Sequence, residues 1–283
     1  MRIMILGATG MLGSAMTRVM AQAPQLEVVA LSRGNAQRWF VPEIRARFYG
    51  GLDVENTDNL VAAFAAHRPD VVVNCIGVVK QLAAASDVLS AVPINALLPH
   101  RLARLCAMTS ARLVHVSTDC VFSGRTGNYR ESDAPDATDL YGTSKLWGEV
   151  HDPHAITLRT SIIGPELDSA RGLLGWFLSQ TEGVRGFRRA IFSGLPTVEL
   201  ARVVRDIVLP RPDLSGLYHV SANPIDKDRL LRLFAETYGH RVEIVPDDKL
   251  VIDRSLDSTR FRVATGYTPA DWPSLVADMQ RFG

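Results

Sequence analysis

Arg2-Ile3-Met4-Ile5-Leu6-Gly7-Ala8-Thr9-Gly10-Met11-Leu12-Gly13 opens the chain with a short apolar run, a glycine-rich turn and the start of an amphipathic segment. The run is too short for a core helix and closes on Gly7, which suits a buried strand. From Met11 to about Gln22 the chain reads as a helix, stopped near Pro24. Glycines 7, 10 and 13 follow a G-x-x-G-x-x-G spacing. In a strand–turn–helix, Gly7 permits the sharp turn, Gly10 lets the backbone approach a pyrophosphate, and Gly13 lets the helix pack closely. The helix N-terminus adds free N–H donors and a partial positive charge. Gly7, Thr9, Gly10, Met11, Leu12 and Gly13 are therefore candidate dinucleotide-phosphate residues. A purely structural turn is the plainer alternative, but a strand before and a helix after favour binding.

Beyond that turn, strand and helix signals alternate. Glu27-Val28-Val29-Ala30-Leu31 is a second β-branched run, and a weaker strand is expected near Ala46 to Tyr49, ahead of Asp53-Val54. A helix from about Thr57 to Ala66 leads into Asp70-Val71-Val72-Val73-Asn74-Cys75-Ile76, the cleanest strand of the chain. Ile94 to Met108 reads as a helix despite Pro99. Strands follow at Arg112-Leu113-Val114-His115-Val116 and Ala155-Ile156-Thr157-Leu158. Such alternation implies a parallel sheet covered on both faces and joined by right-handed crossovers. The expected class is α/β, a Rossmann-like doubly wound parallel sheet.

After Gly164 the alternation weakens. A helix-like stretch from Gly172 to Gln180, a strand from Leu217 to Val220, a helix from Asp226 to Tyr238 and a proline-bearing end read as a smaller lobe. We expect residues 1–164 to form the dinucleotide-binding domain, with later segments returning to it, and residues 165–283 to be mainly a substrate-binding lobe.

Composition excludes several classes. Of 283 residues, 47% are hydrophobic and 22% charged, which is ordinary for a globular protein and not for a disordered one. The formal net charge of +1 gives no support to a nucleic-acid binder or a polybasic membrane anchor. No apolar run is long enough to span a bilayer, and the N-terminus shows no signal-peptide cleavage pattern, so a cytoplasmic location is expected. Cys75, Cys106 and Cys120 are widely spaced and odd in number, which argues against a disulfide framework or a cysteine zinc site. The seven histidines show no ligand spacing, so no metal site is expected.

The end of the second strand bears on which dinucleotide is bound. An acidic residue there would bond the adenosine ribose and favour NAD, whereas a basic one accommodates a 2′-phosphate. Ser32-Arg33 stands at this place. Arg33 reads as the guanidinium partner of NADPH, with NADH as the other candidate cofactor; a solvated surface arginine is the plain alternative. Asp53 is placed to accept a hydrogen bond from the adenine amino group, or is simply a turn residue.

Tyr141-Gly142-Thr143-Ser144-Lys145 sets a phenol and an ammonium at i and i+4 on one helix face. A lone tyrosine, with a pKa of about 10, is a poor proton donor and acceptor at neutral pH, and a neighbouring lysine cation lowers that value. The pair gains weight from Ser117-Thr118-Asp119 at a strand end, where a hydroxyl at the carboxyl edge of a parallel sheet points into the ligand crevice. Thr118 is the candidate to hold a substrate carbonyl while Tyr141 delivers a proton. Backbone capping is the plain alternative for Ser117 and Thr118.

Together these motifs resemble the extended short-chain dehydrogenases/reductases, and within them the dTDP-4-dehydrorhamnose reductases and related nucleotide-sugar reductases. The resemblance rests on Gly7 to Gly13, Val116-Ser117-Thr118-Asp119-Cys120-Val121-Phe122-Ser123-Gly124, and Tyr141 to Glu149. Leu158-Arg159-Thr160-Ser161, Gly194-Leu195-Pro196-Thr197, Leu256 to Phe261 and Gly266-Tyr267-Thr268-Pro269 extend it. It implies Thr118, Tyr141 and Lys145 as the catalytic group, with Tyr141 and Lys145 also beside the cofactor. It further implies that Asp53 and Val54 flank the adenine and that Cys75-Ile76-Gly77 lies beside the cofactor. Asn95 stands where some relatives carry an asparagine that supports a proton relay. Two departures bear on the substrate side: Cys120 replaces the tyrosine usual after Ser-Thr-Asp, and Val78-Val79-Lys80-Gln81 differs from the usual acidic, threonine-bearing loop.

Substrate contacts are expected from Lys80, Asp119 and the cluster Arg185, Arg188 and Arg189, whose charges suit the diphosphate of a nucleotide sugar. A basic surface loop is an equal alternative for the arginines. Trp176 and Phe177 read as core or dimer contacts, and homodimer versus monomer stays open. The expected activity is NADPH-dependent reduction of the 4-keto group of a nucleotide-activated deoxysugar. Its rivals are an NAD-dependent nucleotide-sugar epimerase or dehydratase, which shares the fold and the Tyr/Lys pair, and a non-catalytic NADP-binding regulator.

Overall fold

Ile3, Met4, Ile5 and Leu6 are all fully buried, as a run apolar on both faces requires. The computed structural model describes residues 1–80 and 83–283, Ala83 by its backbone alone. Its first part runs β1 (Arg2–Leu6), α1 (Met11–Ala21), β2 (Glu27–Leu31), β3 (Ala46–Tyr49), α2 (Thr57–His67), β4 (Val71–Asn74), α3 (Val88–Ala91), α4 (Leu98–Thr109), β5 (Arg112–Thr118), α5 (Leu140–Trp147) and β6 (Ala155–Thr160). There follow β7 (Ile162–Ile163), α6 (Leu173–Leu178), β8 (Val184–Phe187), β9 (Ala190–Phe192), β10 (Leu195–Pro196), α7 (Thr197–Val203) and β11 (Gly216–His219). The chain ends with β12 (Ile225–Asp226), α8 (Lys227–Tyr238), β13 (Ile244–Asp247), β14 (Ile252–Asp253), α9 (Thr259–Thr265) and α10 (Trp272–Phe282).

Seven strands form one parallel sheet in the order β11-β6-β5-β4-β1-β2-β3. β1 pairs with β2 on one side and with β4 on the other, so the strand order reverses there and a crevice opens beyond their carboxyl ends. Met4 and Leu6 pack with Leu60 and Phe64 of α2 and with Leu98 and Leu102 of α4. Ile3 and Ile5 point to the opposite face, where α1 lies on β1 and β2. This is the doubly wound α/β sheet expected from the alternation of strands and helices.

The chain divides into two compact units. One comprises Met1–Ser117, Asp139–Leu158 and Ala201–Leu217; the other comprises Thr118–Thr138, Arg159–Leu200 and Tyr218–Gly283. The first unit thus takes in the later segment Ala201–Leu217, and the second takes in the earlier segment Thr118–Thr138. Both early excursions leave from the carboxyl ends of strands, β5 and β6, where connecting segments of a doubly wound sheet can grow without disturbing it. In the second unit β12, β9 and β14 form a small sheet, β8 pairs with β13, and α8 packs on α10 and β8. Phe177 is fully buried, with its ring centroid 6.2 Å from that of Phe234, whereas Trp176 is 38% exposed.

The expected continuous helix from Ile94 to Met108 is interrupted. Val92–Leu97 is a π-helical stretch in which the Leu98 N–H donates to Pro93 O, and α4 begins only after it. Pro99 has no N–H to give Asn95, so the usual i+4 bond cannot form and the turn widens. Among the described residues no helix is long and apolar enough to cross a membrane.

Candidate active site

The glycine-rich turn sits at the β1/β4 crevice. Gly7 has φ of +83°, and a Cβ there would fall 2.9 Å from Ile76 Cγ1. That closeness also places Cys75 and Ile76 directly beside the turn, with Cys75 N–H donating to Leu6 O at 3.1 Å. A Cβ on Gly13 would lie 2.0 Å from Gly7 O, so only glycine lets α1 approach the turn. Gly10 differs: its Cβ would meet only Gly7 O, at 3.4 Å, which is ordinary contact. The bare Gly10 is exposed at the start of α1, where no side chain caps the helix and no acidic residue occupies the first turn. An uncapped helix start behind a backbone cleared of side chains fits a dinucleotide pyrophosphate. Thr9 and Met11 are half-buried around this edge and Leu12 is buried beneath it.

At the end of β2 the Ser32 hydroxyl donates to Gly34 O at 2.6 Å, and Arg33 is exposed with its carbonyl accepting from Gly51 N. Asp53 is exposed, and its carboxylate accepts from Glu55 N at 3.0 Å; Val54 is buried beside Leu52 in the core. Burial pushes the Cys75 thiol up to about 12, so it is no nucleophile at neutral pH. Gly77 is exposed at the end of this segment.

α5 begins at Asp139, whose carboxylate caps the helix by accepting from Gly142 N at 2.9 Å. Tyr141 is half-buried in its first turn. One turn on, Lys145 is only 6% exposed, and its Nζ donates to Val116 O of β5 at 2.8 Å. Burial pulls the Lys145 ammonium down to about 8, with Glu149 opposing the shift. Ser117 Oγ donates to Glu149 Oε1 at 2.7 Å. Asn95, 1% exposed, joins two elements: its Oδ1 accepts from Val78 N at 2.9 Å, and its Nδ2 donates to Val78 O and to Ser144 Oγ of α5. The segment after β4 is held to α5 a second time by an ion pair of Lys80 Nζ with Asp139 Oδ2 at 3.0 Å. Gln81, the last residue of the departure noted in that segment, lies outside the described residues.

In the second unit, Thr118 is 7% exposed; its Oγ1 accepts from Cys120 N at 3.1 Å and donates to Asp119 Oδ1 at 3.2 Å. Burial raises the pKa of Asp119, while Arg254, the hydrogen bonds from Cys120 and Thr118, and Lys227 pull it back. Arg254 also donates to Phe122 O at 2.8 Å. Arg185 is paired with Asp247 at 3.2 Å and Arg188 with Asp248, so two of the three clustered arginines already face a carboxylate. Arg189 is exposed at the β8–β9 connection.

The first unit thus assembles Tyr141, Lys145, Asn95 and Cys75-Ile76-Gly77 around the ends of β1, β4 and β5. Sequence reasoning passed over Glu149 as a partner of Lys145, although its i+4 position was a readable signal. Lys227 and Arg254, which bear on Asp119, carried no such signal, because they come from segments far along the chain.

Comparison with known proteins agrees with this architecture. The family described as RmlD substrate binding domain matches residues 1–227. The chain is 26% identical to a dTDP-4-dehydrorhamnose reductase of Aggregatibacter actinomycetemcomitans over 99% of both chains. It superimposes on a hypothetical dTDP-4-dehydrorhamnose reductase from Sulfolobus tokodaii with a TM-score of 0.78, at 25% identity over 96% of this chain and 98% of the other. A dTDP-4-dehydrorhamnose reductase from Bacillus anthracis in complex with NADP gives a TM-score of 0.79 at 20% identity, over 100% of this chain and 98% of the other, a likeness of fold. The chain belongs to the RmlD substrate binding domain family, within the extended short-chain dehydrogenases/reductases.

Proposed function

We propose that this protein uses NADPH to reduce the 4-keto group of a nucleotide-activated deoxysugar. When bound, the nicotinamide supplies the hydride. Tyr141 gives its proton to the carbonyl oxygen as the alcohol forms, and Lys145, one helical turn on, favours the tyrosinate left behind. Thr118 hydrogen-bonds the same oxygen and orients the carbonyl. Gly7, Gly10 and Gly13 leave room for the pyrophosphate, and Arg33 meets the 2′-phosphate. Lys80, Asp119 and Arg189 contact the nucleotide sugar, and Arg185 and Arg188 join them by exchanging their carboxylate partners for its diphosphate.

The single observation that carries this reading is Lys145, 6% exposed and hydrogen-bonded to Val116 O one turn from Tyr141. Burying an ammonium is unfavourable for folding, and a lysine drawn towards neutrality beside a tyrosine has a use in proton transfer. The reductases among the relatives support the class of reaction. Cys120 and the segment Val78-Val79-Lys80 set which sugar is accepted.

A panel of nucleotide 4-keto sugars, each incubated with the protein and NADPH, tests the proposal. The expected result is stoichiometric NADPH oxidation with one member of the panel. Tightly bound NAD and an isomerised sugar with no net cofactor consumption would support epimerisation instead.

A further inference from the structure

Two neighbouring residues at the end of β5 are tied to side chains one helical turn apart. Val116 O accepts from Lys145 Nζ at 2.8 Å, and Ser117 Oγ donates to Glu149 Oε1 at 2.7 Å. Both anchors sit on the peptide link between Val116 and Ser117, so the ammonium and the carboxylate meet β5 a few covalent bonds apart. Ser117, Lys145 and Glu149 are all buried. Burying a carboxylate costs free energy, and a serine hydroxyl does not need a charged acceptor. Glu149 therefore calls for a use beyond satisfying Ser117.

The backbone on either side of Glu149 is fixed. Gly148 packs so closely on Asn95 O that no Cβ fits there. Val150 N donates to Thr157 Oγ1 of β6 at 3.1 Å, and that hydroxyl donates back to Val150 O at 2.7 Å. The elements packed against α5 bring few titratable groups to it. Val92–Leu97 and α3 carry none, and Asp87 caps α3. His100 of α4 donates from Nε2 to Trp147 O. His115 of β5 is kept neutral by burial, then by Lys145 and His100. On α5 itself, Asp139 pairs with Lys80 at the helix start, ahead of Tyr141. Burial disfavours the Lys145 ammonium, and Glu149 is the carboxylate that favours it.

We propose that Glu149 is a positioning residue, a counter-charge which Ser117 holds in place so that Lys145 keeps its proton one turn from Tyr141. The reductase reading supplies the consequence for turnover, not the charge pairing itself. An ammonium favours the tyrosinate left when Tyr141 gives up its proton, and a neutral amine does not. Screening is weak in a buried site, so one charge removed there is felt strongly. Without the carboxylate the lysine moves towards the amine, just where the reaction develops negative charge.

Glu149→Gln keeps the shape and an acceptor for Ser117 Oγ, and removes the charge. The chain has four lysines, so 13C labels at Cε give separate NMR titrations, with Lys145→Met assigning the signal. The wild-type midpoint for Lys145 should lie at about 8, and Glu149→Gln should lower it by about one pH unit or more. The kcat/KM profile of that variant should show a deficit of roughly fivefold at about pH 8 that closes by about pH 6. An injury to folding would lower activity at every pH alike. Ser117→Ala leaves the charge but frees the carboxylate, and should move the Lys145 midpoint in the same direction by less. An unchanged midpoint in Glu149→Gln overturns the proposal; should that variant not fold, an unchanged midpoint in Ser117→Ala does so. A lowered midpoint with a deficit equal at all pH overturns the link to turnover. A wild type that reduces no nucleotide sugar would instead fail the reductase reading, and the lysine titration would still decide the counter-charge.

Discussion

Lys145 Nζ lies 2.8 Å from the carbonyl of Val116, which anchors the ammonium of α5 to the strand that ends at Thr118. Burial brings this lysine from 10.5 to about 8. Two outcomes follow. Activity that depends on the charged form should decline as pH rises through about 8 in a kcat/KM profile, which reports the free enzyme. Between the two values the unfolded chain binds more protons than the folded one, so the lysine's contribution to stability rises with pH across that window. Wild type should therefore gain thermal stability relative to Lys145→Met from neutral pH to about pH 10. A constant difference between the two proteins would contradict the burial of the charge.

Tyr141→Phe removes one oxygen from a half-buried ring in the first turn of α5 and leaves the helix cap at Asp139 untouched. Turnover should fall by roughly 10²–10⁴-fold, with NADPH affinity kept. Fluorescence titration of the cofactor beside steady-state rates checks both. Retained turnover would remove the tyrosine from the chemistry.

The two later glycines of the turn should fail in different ways. Gly13→Ala drives a Cβ to 2.0 Å from Gly7 O and must displace α1, which should cost at least about 1–3 kcal/mol in denaturant unfolding. Gly10→Ala makes only a 3.4 Å contact, so stability should hold while NADPH affinity drops at least about tenfold. Equal loss of stability in both variants would mean that the turn is only structural.

Arg33 is exposed at the end of β2, so its replacement should leave folding unchanged. Arg33→Ala should weaken NADPH by about 1.5–3 kcal/mol, the range of a charge-assisted contact, and leave NADH nearly unaffected. Parallel titrations with the two cofactors decide it, and equal losses for both would refute the assignment.

Much of the sheet was readable because its central strands β1 and β4 are buried on both faces. The runs at Ile3 and Val71 are unbroken and apolar, and β3 falls on the Ala46–Tyr49 segment expected for it. The helix around Asn95 was read as continuous because a π-helical widening leaves no mark in apolar spacing; only Pro99 hinted at it. The segments of the second unit are short, and β7, β10, β12 and β14 are two residues each, too brief for any periodicity to register. At the site, Tyr141 and Lys145 were legible from helical spacing. The pairing of Arg185 and Arg188 with Asp247 and Asp248 was not, because partners more than fifty positions apart are brought together only by the β8–β13 pairing.

Hydride tracing reaches the central claim most directly. NADPH carrying deuterium at its transferable position is incubated with the nucleotide 4-keto sugar that the protein turns over, and the product is examined by NMR. The account predicts one deuterium at C4 of the product sugar, matched by one equivalent of NADP, and the same product formed roughly 10²–10⁴-fold more slowly by Tyr141→Phe. A product without deuterium, or an isomerised sugar formed with NADPH unconsumed, would contradict it.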